Sequence, residues 1–434
     1  MKSRTEMLQK LGVSELNTMQ IKALDSISSN TNTVLLSPTG TGKTLAFLLP
    51  IIEFINPNTE VVQALIIVPT RELALQIEQV VRDMGAGIKA NAVYGGQSFN
   101  QDRLNLKHTP SLIIGTPGRV SDHLRRNTFS LSELKFLVLD EFDKSLEIGF
   151  EPEMKQISKA TPKGSKRVLT SATNEVTIPE FIELESPSVI DNADKGKSKM
   201  SIYKVSTPTK DKLETLVALL SKLQNETGIV FCNFKDSIDR VSDYLHERGV
   251  PHGCFYGGLE QHDRELSLLK FRNGSHRVIL ATDLAARGLD IPEIQFIVHY
   301  HLPLKEHEFV HRNGRTARMH KDGEVYVLHF AQESLPDYLS DLEEAPLINK
   351  ESPIKELTQW KTIMLSAGRR EKISKGDIAG LCYKEGGLDK GDLGVIELKA
   401  DEAFFAVKAD KALDLIQQLN GKRLKKAKLR VSGV

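Results

Sequence analysis

Short, unbroken apolar runs recur along this chain, separated by longer stretches with helical spacing. Val34-Leu35-Leu36, Ala64-Leu65-Ile66-Ile67-Val68, Leu112-Ile113-Ile114 and Phe136-Leu137-Val138-Leu139 form a first series. Continuous rather than alternating apolar runs predict parallel strands buried on both faces. Residues 191–199 are polar and break the series. A second one follows, with Gly228-Ile229-Val230-Phe231, Val278-Ile279-Leu280, Phe296-Ile297-Val298 and an apolar run at 325–330. The pattern predicts two α/β units of similar size in tandem. Glu343-Glu344-Ala345-Pro346 and Glu351-Ser352-Pro353 then read as a linker. The remaining segment has a β-α-β-β-α-β order. Strands are expected near 362–365, 395–399, 403–407 and 428–431, and helices near 376–385 and 411–419.

The carboxyl ends of the predicted strands carry the candidate chemistry. Ser37-Pro38-Thr39-Gly40-Thr41-Gly42-Lys43-Thr44 follows the first strand and opens a helix. Backbone N–H groups of such a loop, with the helix N-terminus, wrap a polyphosphate. Lys43 then reaches the terminal phosphates and the Thr44 hydroxyl sits on magnesium. Ser37 stands where the general pattern has glycine. Asp140-Glu141-Phe142-Asp143 follows the strand at 136–139. Carboxylates at that end of a buried parallel strand face a ligand crevice. Asp140 suits a magnesium ion and Glu141 suits the attacking water, although a plain helix cap is the alternative. Ser171-Ala172-Thr173 follows another strand and gains meaning only in company: hydroxyls bonded to Asp143 would relay the nucleotide state. Arg312, Arg315 and Arg318, three residues apart, are expected on one helical face.

Composition narrows the field without naming a function. The chain has 434 residues, enough for several domains, with 26% charged residues and a net charge of +1. That balance hides an asymmetry. Residues 361–434 hold 16 Lys+Arg against 10 Asp+Glu. A basic terminal segment on a near-neutral body points to a polyanionic partner. Cys232, Cys254 and Cys382 show neither metal spacing nor a disulfide framework. No apolar stretch is long enough to span a bilayer. A cytoplasmic, membrane-free setting is the expectation, with a monomer favoured.

Together these motifs resemble the DEAD-box RNA helicases, a family built on two RecA-like domains. The resemblance runs through the first 330 residues. It includes Gln20, the 37–44 loop, Pro69-Thr70-Arg71-Glu72-Leu73-Ala74, Gly95-Gly96, Thr116-Pro117-Gly118-Arg119, Asp140-Glu141-Phe142-Asp143 and Ser171-Ala172-Thr173. The second unit adds Ile229 to Asn233, Gln261 with Arg264, Ala281-Thr282-Asp283, Ala286-Arg287-Gly288-Leu289-Asp290 and the run from His311 to Arg318. The resemblance implies that ATP and Mg2+ are bound, with Gln20 reading adenine and Asp290 touching the ribose. Pro69, Thr70, Arg71, Gly95, Gly96, Thr116, Pro117, Gly118, Arg119 and Thr282 would grip an RNA backbone, and Arg315 and Arg318 would act as arginine fingers. It also implies ATP-dependent separation of short RNA duplexes. An ATP-gated clamp without productive unwinding is the alternative. Two departures favour that alternative: Phe142 replaces the family's alanine, and no aromatic precedes Gln20 in the first 13 residues.

The last 74 residues resemble the RNA-binding domain of DbpA-type members of that family. The likeness rests on Gly368-Arg369-Arg370-Glu371-Lys372-Ile373, Lys375-Gly376-Asp377-Ile378, Gly386-Gly387-Leu388, Asp392-Leu393-Gly394 and Ala403-Phe404-Phe405-Ala406-Val407. It implies an RRM-like fold that binds structured RNA through residues such as Arg369, Arg370 and Lys372. In that family the target is a hairpin of large-subunit ribosomal RNA. Strand side chains alternate, so one of Phe404 and Phe405 faces the core. The other either stacks on a base or lies under a second layer. The fold class expected is therefore α/β: two tandem parallel-sheet domains at 1–198 and 199–342, a linker at 343–360 and a small α+β domain at 361–434.

Overall fold

A computed structural model describes residues 2–29, 32–38, 40–147, 149–171, 178–192, 200–223, 226–283, 294–316, 323–346 and 358–434. Met1–Ser198 forms one compact unit; Lys199–Ala286 and Ile291–Val434 form the other.

The first unit holds a parallel sheet of seven described strands: β1 Asn32–Leu36, β2 Ala64–Ile67, β3 Ala90–Val93, β4 Leu112–Gly115, β5 Phe136–Leu139, β6 Lys166–Ser171 and β7 Ser188–Asp191. Their order is β3-β4-β2-β5-β6-β1-β7. Both faces are covered, which is why the strands read as continuous apolar runs. Ile66, Val138, Val168 and Leu35 point into one core; Leu65, Leu137, Leu169 and Val34 point into the other. The helix Lys43–Phe54 is apolar nearly all round and lies in the first of these cores.

The second unit contains a parallel sheet of the same design: β8 Met200–Thr207, β9 Gly228–Phe231, β10 His252–Phe255, β11 Val278–Ala281, β12 Phe296–His299, β13 Gly323–Phe330 and β14 Glu343–Glu344. The order is β10-β11-β9-β12-β13-β8-β14. Glu343–Glu344, inside the stretch read as linker, pairs with Tyr203 and Lys204 as a short edge strand. The Glu344 carboxylate accepts from the Ser206 amide at 2.9 Å, which anchors that edge. Of the expected linker, 347–357 lies outside the described residues.

The same unit carries an antiparallel sheet ordered β16-β17-β15-β20. Its strands are β15 Trp360–Leu365, β16 Leu393–Leu398, β17 Ala403–Lys408 and β20 Val431–Gly433, with a small hairpin of β18 Arg423–Leu424 and β19 Ala427–Lys428. Helices occupy Lys375–Lys384 and Ala412–Leu419. The last strand starts later than expected, because 423–428 is used by the hairpin.

The two arrangements left open for the phenylalanine pair can be told apart by burial. Ile363, Leu365, Phe405 and Val407 enter the core beneath the helices. Phe404 lies opposite Met364, on the other face, yet is only 1% exposed. That face is covered where Thr362 meets the end of the helix Gln261–Arg272. Asn273 Nδ2 donates to Thr362 Oγ1 at 2.8 Å, and Thr362 Oγ1 donates to Ser275 Oγ at 2.7 Å. Lys399 pairs with Glu265 at 2.6 Å beside this contact. Of the two arrangements open from sequence, the doubly covered sheet is the one observed.

Candidate active site and nucleic-acid interface

Strand order in the first unit separates two sites along one sheet edge. The loops after β1, β5 and β6, which are neighbours, carry the nucleotide motifs. Those after β2, β3 and β4, also neighbours, carry the motifs expected from sequence to meet an RNA backbone.

At the first site the 37–44 loop is tightly self-bonded. Lys43 Nζ donates to the carbonyls of Ser37 at 2.6 Å and Pro38 at 2.9 Å. Ser37 is fully buried and shares a 2.8 Å hydrogen bond with Thr41 Oγ1. Its hydroxyl replaces a glycine without opening the turn. Gly42 has φ +86°, a conformation that disfavours side chains, and precedes the helix containing Lys43 and Thr44. Gln20 is buried and joins the loop: Nε2 donates to the Gly42 carbonyl at 3.3 Å, and Oε1 accepts from the Asn17 amide at 2.9 Å. Asn17 Nδ2 donates to the Thr41 carbonyl at 3.1 Å. Gln20 therefore stands against the 37–44 loop.

Across this loop lie the carboxylates. Asp140 is 4% exposed, and burial together with the neighbouring Glu141 pushes its pKa up to about 6. The Thr170 hydroxyl donates to Asp140 Oδ1. The Glu141 amide donates to the same hydroxyl oxygen at 3.2 Å. Glu141 itself has φ +47°, which is uncommon for a residue with a side chain and marks strain at the site. Asp143 is buried in the helix Phe142–Glu147, with the Lys144 ammonium 3.9 Å away. Phe142, the departure from alanine, fits without exposure: it is 2% exposed in the apolar cluster with Leu139, Met154 and Ile157. Ser171 is buried at the end of β6, and its carbonyl accepts from the Ser37 amide at 3.0 Å. Thr39 and Thr173 lie outside the described residues.

At the second site, Thr70 caps the helix Arg71–Met84 through the Leu73 amide. Gly95 is exposed, and Gly96, at φ +91°, lets Arg71 come close: an added Cβ would stand 3.1 Å from Arg71 Nη1. Pro69 follows β2 after one residue, Val68. Thr116, Pro117 and Gly118 open the helix Pro117–Arg125, whose Arg119 donates through Nε to Asp102 at 2.7 Å and through Nη2 to the Gln97 carbonyl at 2.9 Å. The structure thus brings together Arg71, Gly96 and Arg119, which the sequence scatters over 49 positions. Asp102 was not singled out from sequence. It is 2% exposed and also meets His123 Nε2 at 3.2 Å.

In the second unit Asn233, Asp283 and His301 stand at neighbouring strand ends, and Arg312 ties them together. Its Nε and Nη2 reach the two Asp283 oxygens at 2.6 Å each. Nη2 also reaches Asn233 Oδ1 at 2.8 Å, and Nη1 reaches the His301 carbonyl at 2.6 Å. This overturns the expected three-arginine helical face. The helix Glu306–Asn313 ends before Arg315, at Gly314. Arg312 is 2% exposed and turned inward. Gly314 caps the helix at φ −62°, and Asn313 is held by His299 at 2.9 Å. Arg315 follows in a turn and is buried; Thr282 follows β11; Arg318 and Asp290 lie outside the described residues. In the C-terminal domain Arg369, Arg370 and Lys372 are exposed, with Arg370 paired to Asp401 at 2.7 Å.

Three family models match the chain: DEAD/DEAH box helicase at residues 17–181, helicase conserved C-terminal domain at 211–320, and DbpA RNA binding domain at 362–432. The chain is 33% identical to the ATP-dependent RNA helicase DbpA of Escherichia coli, over 98% of this chain and 95% of that one. It belongs to the DEAD-box ATP-dependent RNA helicases. The DbpA of Bacillus subtilis is 29% identical, with 98% and 96% of the two chains covered. Among solved structures, S. cerevisiae Dbp5 bound to RNA and ADP BeF3 matches with a TM-score of 0.67 at 25% identity, covering 75% of this chain and 88% of that one. This DEAD-box protein is accordingly an ATP-binding RNA helicase of DbpA type, with two RecA-like domains and a C-terminal RNA-binding domain. No described helix is long and apolar enough to cross a membrane.

Proposed function

We propose that the C-terminal domain tethers this helicase to structured ribosomal RNA, and that the two RecA-like domains separate short duplexes nearby during assembly of the large ribosomal subunit. The supporting observation is the DbpA RNA binding domain at 362–432, together with that segment's excess of basic residues. A cytoplasmic setting goes with this reading, as do domain limits near 198, 342 and 360.

The proposed residue roles begin at the nucleotide site. Lys43 exchanges its loop carbonyls for the β- and γ-phosphates, and the 40–44 backbone holds the remaining oxygens. Mg2+ fits this site. Asp140 is a buried carboxylate beside a second one, Glu141, and Mg2+ needs only one or two carboxylates beside substrate phosphates. Asp140 and Thr44 would hold it, and the ion would neutralise charge on the phosphates. Glu141 orients the attacking water. Arg315 and Arg318 supply positive charge to the γ-phosphate at turnover, a contribution worth roughly 10³–10⁵ in rate in related NTPases. Thr70, Arg71, Gly96, Thr116 and Arg119 hold RNA by its sugar-phosphate backbone, which gives little sequence preference.

Crosslinking the full chain to cellular RNA and sequencing the bound fragments tests the tether. Enrichment of one large-subunit hairpin, lost when 361–434 is removed, is expected. A flat profile over messenger RNAs would remove the ribosomal assignment.

A further inference from the structure

We propose that Thr170 is a positioning residue for ATP hydrolysis, its hydroxyl fixing the Asp140 carboxylate and the Glu141 backbone relative to one another. The inference rests on the assignment of Asp140 to the magnesium site.

The placement follows from the sheet. β5 and β6 are neighbours, and Val138 stands beside Val168. Both face the core that receives the helix Lys43–Phe54. Two residues further along each strand, Asp140 and Thr170 share that face. Thr170 also stands in register with Leu35 of β1, the strand that leads into the phosphate loop. A side chain at this position therefore touches both catalytic carboxylate positions from inside the sheet. Thr170 is fully buried.

One hydroxyl does two things there. Its proton goes to Asp140 Oδ1, and its oxygen accepts the Glu141 N–H at 3.2 Å. A carboxylate that is 4% exposed needs a donor, and a buried amide needs an acceptor. The second bond bears on the backbone of a residue at φ +47°, where any change in the peptide swings the Glu141 side chain. The first bond holds the Asp140 carboxylate in one orientation, with Oδ1 turned toward the sheet. Serine or threonine supplies such a hydroxyl, whereas valine fills the same space without it.

The test compares wild type, Thr170→Val and Thr170→Ser. Loss of a group that orients a metal ligand typically costs about 10–100-fold in activity or metal affinity. Thr170→Val is expected to lose RNA-stimulated ATP turnover by a factor in that range, and Thr170→Ser to restore most of it. A second readout does not depend on turnover. ADP binding is measured with and without Mg2+: binding without the ion should be the same in all three proteins, and the tightening conferred by Mg2+ should shrink in Thr170→Val alone. Thermal melting confirms that each variant is folded. If Thr170→Val keeps both turnover and the Mg2+ effect, the proposal is wrong. It is equally wrong if Thr170→Ser is as impaired as Thr170→Val, since packing would then explain the loss. A wild type whose ADP binding ignores Mg2+ would instead remove the magnesium assignment, and this inference with it.

Discussion

Asp102 shows how much of this protein's chemistry depends on single buried groups. Its carboxylate accepts from Arg119 Nε at 2.7 Å and contacts His123 Nε2 at 3.2 Å. The His123 ring stacks on Phe99 with centroids 4.7 Å apart, and the Arg119 guanidinium lies over the same Phe99 ring. Arg119 is thereby held on a rigid platform. A charge-assisted hydrogen bond of this kind is worth roughly 1.5–3 kcal/mol. Asp102→Asn keeps the shape and removes the charge. It should raise the RNA concentration needed for half-maximal ATPase about tenfold, in keeping with that energy. ATPase without RNA should stay unchanged. An unaltered RNA requirement would show that Arg119 needs no such support. Neither Asp102 nor Thr170 was legible in the sequence. The Gly-Lys-Thr loop and the Asp-Glu pair could be read because their function is local to a few consecutive residues. Asp102 and Arg119 are 17 positions apart, and only strand order brings them together.

At the scale of elements, the strand ends of the second sheet are fastened by Arg312 and His299. Arg312 Nη1 lies 3.3 Å from His299 Nδ1, and His299 Nε2 lies 2.9 Å from Asn313 Oδ1. A guanidinium only donates, so Nδ1 accepts and Nε2–H donates. The ring is the neutral Nε2 tautomer. Burial, with Arg312 adding to it, pushes its pKa down to about 3. The sign of the pH effect follows. The unfolded chain takes up a proton near pH 6.5 and the folded one does not until about pH 3, so stability is present above the unfolded value and is lost as pH falls. At pH 5 this amounts to about 2 kcal/mol for His299 alone. His276, also pushed to about 3 by burial, acts in the same direction. Thermal unfolding should weaken between pH 7 and 5, and His299→Gln should flatten that dependence. An identical pH slope in the variant would contradict the tautomer and its cause. The parallel strands themselves were legible, since burial on both faces leaves a run without polar gaps. The arginine spacing alone suggests one continuous face, whereas the Asn-Gly pair at 313–314 is a stop signal that competes with it.

For the whole molecule, the helicase unit's second sheet and the RNA-binding domain share one compact unit. Their contact is polar at its centre, through Asn273, Thr362 and Ser275, with Lys399–Glu265 beside it. An added Cβ on Gly274 would stand 3.2 Å from the Trp360 ring, so the turn is fitted closely to β15. Thr362→Val leaves a buried donor and acceptor unpaired, at a cost of about 1–3 kcal/mol. Hydrogen exchange should rise across Asn273–Ser275 and Trp360–Leu365, with little change in the first unit. Exchange equal to wild type would mean that the contact carries no weight. Sequence patterning suggested the small domain but not what covers Phe404, because the covering residues lie far upstream, at the end of the helix Gln261–Arg272.

We assign phosphate release to the carboxylates after β5, acting on a nucleotide held by the loop after β1. Phosphate release by wild type and Glu141→Gln, each with and without RNA, addresses that assignment most directly. Wild type should be strongly stimulated by RNA, and the variant should bind ATP yet release almost no phosphate under either condition. Equal RNA-stimulated rates in the two proteins would contradict the account.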